Sequence, residues 1–540
     1  VFLRHVPCAA LPLFVAAVTS TAAAQHQASH EIPRVPLALL ERPTSLRSGA
    51  GTVHDGVTTS APDAQRFFDQ GLAYIHSYVW IEAARALNQA IRLDPELAVA
   101  HAALSLVYVE LNKPEEARAA LATAQRLSSG RPPHDRRHIE VRALQAAAEH
   151  VPADASRLSA YRAALAQAVA DFPRDTEFVI LQGLATSPDP FERGQGTGAE
   201  AVPYFERARQ LSPDHPGARH YLTHALENAG RIEQALVEAR EYVRLAPEVP
   251  HAHHMLGHDL RRAGRVADAI TEFEAADRLQ RAYFARENIP AAYDWHHHHN
   301  LDLLAQSYAY VGRMAKAEAT FRASFDLPSN LVTQLFNKRE WPAFLRSRGR
   351  LDEALSAARV LITHPHPLIQ ATGHIETGFV LAARNAAPDA ATSFNTALRM
   401  LRGNPEGAPL AADALLALQG ELALRTAARD KGRATLEEVA RRLRARPGPD
   451  NWAQALFTLE AMARLARQVG DWDLADRLAR HMMEHDAGYA GSHYALAFVL
   501  DRAGDAAGAR KAFAEAAARW AGADPALPEL ADARKRGGAQ

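Results

Sequence analysis

From Pro62 onward, apolar residues recur at helical spacing in short blocks, and two blocks with their turns make a unit of 34 residues. The clearest copy, "PGARHYLTHALENAGRIEQALVEAREYVRLAPEV", runs from Pro216 to Val249, and the next starts one period later at Pro250. Each unit reads as two amphipathic helices with a glycine in the turn between them, an alanine early in the second helix and a proline near the end. Further copies are marked by "NKPEEARAALATAQRL", "VGRMAKAEATF", "RGRLDEALSAARV", "VGDWDLADRLA" and "AGDAAGARKAF". The pattern predicts an all-α chain of stacked helix pairs. Such pairs cannot bury their apolar faces singly and must pack on their neighbours.

Residues 1–24 read as a signal peptide: Arg4, an apolar run from Cys8 to Val18, and small residues up to a cleavage site after Ala24. A secreted, periplasmic product is expected. Residues 25–61 carry scattered Pro, Gly, Ser and Thr without helical period and read as a flexible lead-in. N-terminal repeat-like helices are expected over 62–198, with a long loop at "SPDPFERGQGTG". Central His-rich repeats follow over 199–335, C-terminal repeat-like helices over 336–525 and a tail over 526–540. No later stretch is long and apolar enough for a membrane span.

Composition narrows the chemistry. The 61 Lys+Arg and 62 Asp+Glu nearly cancel, and no basic block stands out, so nucleic acid is excluded as a partner. The one cysteine, Cys8, lies in the signal segment, which removes disulfides, thiolate metal sites and thiol nucleophiles from the mature chain. Serine-hydrolase, phosphate-loop and zincin strings are absent.

Histidine is where the chain departs from a generic repeat protein. Of 26 histidines, 11 fall between His215 and His299. His220 and His224 are four residues apart on one predicted first helix, and His254 and His258 repeat the pair one period later. Each pair shares one helical face, and packed neighbouring helices bring the two pairs together. Glu227 continues the face as an additional ligand, an acceptor for an imidazole N–H, or a base. Counting back from Gly312 puts Asp302 and Gln306 at the same two positions of the third repeat, with His298 and His299 just upstream. The candidate metal ligands are therefore His220, His224, His254, His258, His299 and Asp302. An all-N/O set suits zinc, copper(II), iron or manganese. His251 and His253 fit either groove or surface, His76 and His101 read as core or surface residues, and His215 belongs to the turn before its helix.

The turn glycine, following alanine and closing proline, here Gly230, Ala235 and Pro247 and then Gly264 and Ala269, resemble the tetratricopeptide repeat (TPR). The resemblance implies a right-handed superhelix whose first helices line a concave face, where the His pairs would point. The strings "HPGARHYLTHALE", "HHMLGH" and "YDWHHHHNLDLL" are similar to a group of secreted bacterial TPR proteins with a His-rich central segment. Asp302 stands where that group carries His. Two functions follow as expectations. One is a scaffold that holds a protein or peptide in its groove, with Arg219, Arg261, His298 and Gln306 as groove contacts. The other is a transition-metal-dependent enzyme or metal-binding protein built on the central histidines.

Overall fold

The computed structural model describes residues 35–329, 331–445 and 451–538, and the segment expected to be a signal peptide lies outside them. Among the described residues all regular structure is helical. Consecutive helices pack as antiparallel pairs, and each pair stacks on the next along the chain. The helices that position the sites are α1 (Pro62–Ile75), α2 (Trp80–Leu93), α3 (Pro133–His150), α4 (Thr176–Leu184), α5 (Pro216–Asn228), α6 (Ile232–Leu245), α7 (Pro250–Arg262), α8 (Val266–Glu287), α9 (Trp295–Tyr310) and α10 (Asn451–Gln468).

The turn between paired helices follows from its glycine. Gly230 and Gly264 adopt φ of 74° and 75°, a left-handed conformation that costs other residues a steric penalty. The amide after each glycine reaches back to the helix end: Arg231 N–H donates to the Leu226 carbonyl at 2.8 Å, and Arg265 N–H to that of Leu260 at 2.8 Å. Ala235 and Ala269 are fully buried, where a larger side chain would push the helices apart.

First and second helices differ in burial. Helix α6 buries one stripe, Ala235, Leu236, Glu238, Ala239 and Tyr242, whereas α5 buries nearly every residue from Pro216 to Glu227. The first helices of the central repeats are thus interior on both sides. Part of that cover comes from later in the chain, because α10 returns against α9. The Tyr310 and Trp452 rings lie 5.1 Å apart, and the Arg261 guanidinium sits 5.5 Å from the Trp452 ring.

Two end segments differ from expectation. Residues 35–61, expected to be a flexible lead-in, lie against the repeats with Val35, Leu40, Ala50 and Val53 buried. The segment lacks helical period because it is held from outside. Arg47 pairs with Glu287 at 2.5 Å, Arg42 donates to the Glu287 carbonyl, and the Gly49 carbonyl accepts from Glu248 N–H at 3.0 Å. The expected tail 526–540 contains a helix, Pro528–Gly537, whose Leu530 and Ala533 are buried and whose Glu529 pairs with Arg348 at 2.9 Å.

Candidate metal centre

The central histidines converge in two neighbouring sets of three. His220 and His224 of α5 meet His251 of α7, and His254 and His258 of α7 meet His299 of α9. Within each set one nitrogen per ring lies within 4.8 Å of the other two. The construction is the same in both: two histidines four apart on one first helix, completed by one from the first helix of the next repeat. His251 and His299 hold the same register, thirteen residues ahead of Gly264 and Gly312. The corresponding residue one repeat earlier is Gly217. There a Cβ would lie 2.6 Å from His76 Cγ, so the missing side chain makes room for the His76 ring.

Hydrogen bonds orient the rings. His220 Nδ1 donates to the His76 carbonyl at 2.6 Å, which leaves its Nε2 as a lone pair 2.9 Å from His251 Nε2. His254 Nδ1 donates to Asn300 Oδ1 at 3.0 Å, and the Asn300 amide is itself fixed by donating to the Phe273 carbonyl. That leaves His254 Nε2 as a lone pair 2.9 Å from His258 Nε2. Outer partners that fix tautomer and ring plane are the usual support of a metal-ligating histidine. His224 Nε2 is buried without a hydrogen-bond partner.

Four of the rings, His220, His224, His251 and His254, are held toward the neutral form that ligates a metal. Burial pushes the pKa values of His220, His251 and His254 well below the ordinary range, and neighbouring imidazoles push them further. His224 falls to about 4 for the same first reason, although Glu227 opposes the shift. Glu227 is buried with Oε1 3.7 Å from His258 Nδ1, and burial raises its pKa.

The two sets adjoin. The His251 and His254 rings, one from each, stack at 5.7 Å, and His296 stands against both at 4.8 and 4.6 Å with a buried Nε2 lacking a partner. Tyr78 covers the first set, 4.7 Å from the His220 ring and 4.9 Å from that of His251. It comes from the α1–α2 turn, where it takes a φ of 57°, and its hydroxyl is anchored on the Arg193 carbonyl at 2.6 Å. Trp295 stacks on His299 at 6.3 Å and closes the other end.

Of the six expected ligands, five enter these sets and Asp302 does not, because its carboxylate accepts a hydrogen bond from Ser324 Oγ. His298 bonds Gln334 instead, at 3.2 Å. Arg219 points to the outer helix and pairs with Glu238 at 2.7 Å, so it is no groove contact. Arg261 is buried and donates to Gln306 at 3.0 Å, and Gln306 in turn donates to Glu340. Sequence reasoning missed His251 and His296. The shared register of His251 and His299 was the signal for the first.

A third histidine group is satisfied without an ion. Glu177 accepts from His76 Nε2 at 2.8 Å and from His215 Nε2 at 2.9 Å, while His215 Nδ1 accepts the Ala218 amide and His76 Nδ1 meets the Tyr221 hydroxyl. Burial would raise the Glu177 pKa, but the two imidazoles hold it far below the usual carboxylate range. This group braces the first set through the His76 carbonyl.

Residues 192–258 match the tetratricopeptide repeat family. Among solved structures, the human IFIT1 dimer with PPP-AAAA is 14% identical with a TM-score of 0.39, over 78% of this chain and 90% of that one. Yeast Tom70 is 13% identical with a TM-score of 0.31 over 88% of each chain. The APC/C hetero-tetramer Cut9-Hcn1 gives 11% and 0.32 over 88% of this chain and 90% of that one. No curated protein matches the chain. Residues 192–258 are thus similar to tetratricopeptide repeats and lie within an all-α solenoid of helix pairs.

Proposed function

We propose that the central repeats bind a pair of transition ions, one in each three-histidine set, and that the solenoid is the frame of a metal-dependent protein exported from the cytoplasm. The observation that carries this reading is the pairing itself: two adjoining three-histidine sets, built by the same repeat logic, with facing rings 5.7 Å apart. Imidazole nitrogens favour copper, zinc, iron or nickel, and the absence of thiolate disfavours copper(I) carriers. Three protein ligands leave each ion an open position, as at catalytic rather than structural sites. Ions bound there would supply Lewis-acid activation of a small ligand such as water. Glu227, buried beside His258, is placed to hold a proton from such a ligand.

Enclosure favours small reactants. Tyr78 and Trp295 cap the cluster, and every ligand is buried except half-buried His299. Residues 1–24 supply the export signal on this reading. The test is reconstitution of chelator-stripped protein with copper(II) or zinc(II), with bound metal counted per chain. His224→Ala and His258→Ala should each remove one equivalent, and unchanged counts in both would refute the assignment.

The scaffold reading rests on a different place. The C-terminal half holds a cavity of about 360 Å³ lined by Arg339, Phe344, Arg346, Glu376, Phe379 and Arg464. Arg346 lies over the Phe379 ring at 4.7 Å. The lining mixes arginines with carboxylates and aromatic rings, which suits a polar peptide segment of mixed charge, and on this reading metal binding and partner binding would occupy separate parts of the solenoid.

A further inference from the structure

Away from the central cluster, four side chains from three distant stretches of chain meet at one point. His134 and His138 lie four apart at the start of α3, and their Nε2 atoms are 3.3 Å from each other. Asp175 is the N-cap of α4. Its Oδ1 accepts the Phe178 amide at 2.9 Å, and its Oδ2 faces His134 Nε2 at 2.6 Å and His138 Nε2 at 3.3 Å. Asp55 comes from the segment 35–61, with Oδ1 3.6 Å from His134 Nε2 and Oδ2 3.4 Å from His138 Nε2.

We propose that Asp55, His134, His138 and Asp175 form a closed four-ligand site for a divalent ion of the zinc class, which staples the segment 35–61 to the solenoid. Zinc bonds of about 2.0–2.1 Å in a tetrahedron place neighbouring ligand atoms about 3.3–3.4 Å apart. With Oδ2 as the Asp55 ligand atom, three of the contacts above, His134–His138, His138–Asp175 and His138–Asp55, fall at 3.3–3.4 Å. The His134–Asp175 contact must lengthen by about 0.7 Å to join them. As ligands, two carboxylates and two imidazoles in their neutral form would carry two negative charges, which a divalent ion cancels; without an ion the neighbouring carboxylates draw both rings toward the protonated form.

Hydrogen bonding alone accounts for these groups less well. It directs both imidazoles at the single Asp175 Oδ2 and leaves Asp55 Oδ2 buried without a hydrogen bond, 3.4 Å from His138 Nε2, on a residue only 8% exposed. The His76–Glu177–His215 group shows what a saturated arrangement looks like in this chain, with a partner for each ring nitrogen. At the Asp55 site the surroundings also hold the ligands in place. His138 stacks on Phe178 at 4.0 Å, His134 meets Phe172 at 5.2 Å, and Asp135 lies 3.7 Å from His134 Nδ1 while accepting the Thr58 amide. All four tetrahedral positions are filled by protein, so the site is structural and has no place for substrate. It stands whether or not the central sets bind metal, because it shares no residue with them.

The test uses the full chain stripped with chelator and reloaded with cobalt(II), whose visible absorption is intense only in tetrahedral surroundings. After gel filtration, Asp55→Asn and His138→Gln should each hold one equivalent less than the parent, with the tetrahedral absorption reduced and helicity by circular dichroism retained. In the unaltered protein, zinc should slow tryptic cleavage after Arg47, by roughly 100-fold at metal 100 times the dissociation constant. Chelator should restore the rate, and Asp55→Asn should abolish the effect. Equal cobalt content and equal absorption in parent and both variants would overturn the proposal. So would cleavage of the unaltered protein that is indifferent to zinc, a readout that survives if a variant fails to fold.

Discussion

His220 donates its Nδ1 proton to the main-chain carbonyl of His76 at 2.6 Å, across 144 positions of sequence. That single bond sets the tautomer of His220 and turns its Nε2 toward His251. Because the acceptor is main chain, its placement depends on how His76 packs, and His76 packs into the space left by Gly217. A Cβ at residue 217 would come within 2.6 Å of the His76 ring. Gly217→Ala should therefore cost about 1–3 kcal/mol of stability, as overpacking of a filled interior does. It should also weaken metal binding at the first set more than at the second. Thermal unfolding and metal titration of the variant check both.

The second set has its own orienting partner. Asn300→Leu removes the acceptor of His254 Nδ1–H and frees the ring to turn. Loss of such an outer-shell partner typically costs 10–100-fold in metal affinity, and that weakening is expected for one equivalent only. His298→Ala, one residue from a proposed ligand but bonded to Gln334, should leave the count unchanged. Competition titration with a chromophoric chelator separates these outcomes.

Acid should loosen the segment 35–61 through Glu287. Burial alone would raise its pKa, but Arg47 and Arg85 hold it down to about 2. Its folded pKa is thus below the ordinary glutamate value of 4.5, so its contribution is full above about pH 4.5 and lost as pH falls toward 2. Glu287→Gln should lower stability at neutral pH and flatten its dependence between pH 5 and about 2. Denaturant unfolding at a series of pH values reads this directly.

Much of this arrangement was legible in the sequence. The helix pairs follow from the 34-residue period and the turn glycines, and the columns His220/His254 and His224/His258 follow from the same count. What escaped was set by contacts that no local pattern encodes. Asp302 shares the register of His220 and His254, yet the helix after it supplies Ser324 as a hydrogen-bond donor and takes it out of the cluster. His251 looked like either groove or surface because its partner position one repeat earlier is a glycine, which hid the column it shares with His299. The segment 35–61 has no period of its own, and its order comes from Glu287, Glu248 and the helix starts it crosses. Asp55 could not be paired with His134 and His138 before the fold brought them together.

Metal content per chain, counted by mass spectrometry on the reconstituted parent and on the His224→Ala/His258→Ala double variant, tests the central claim most directly. The paired-set account predicts two equivalents fewer in the double variant, with helicity retained. An equal count in the two proteins would contradict it.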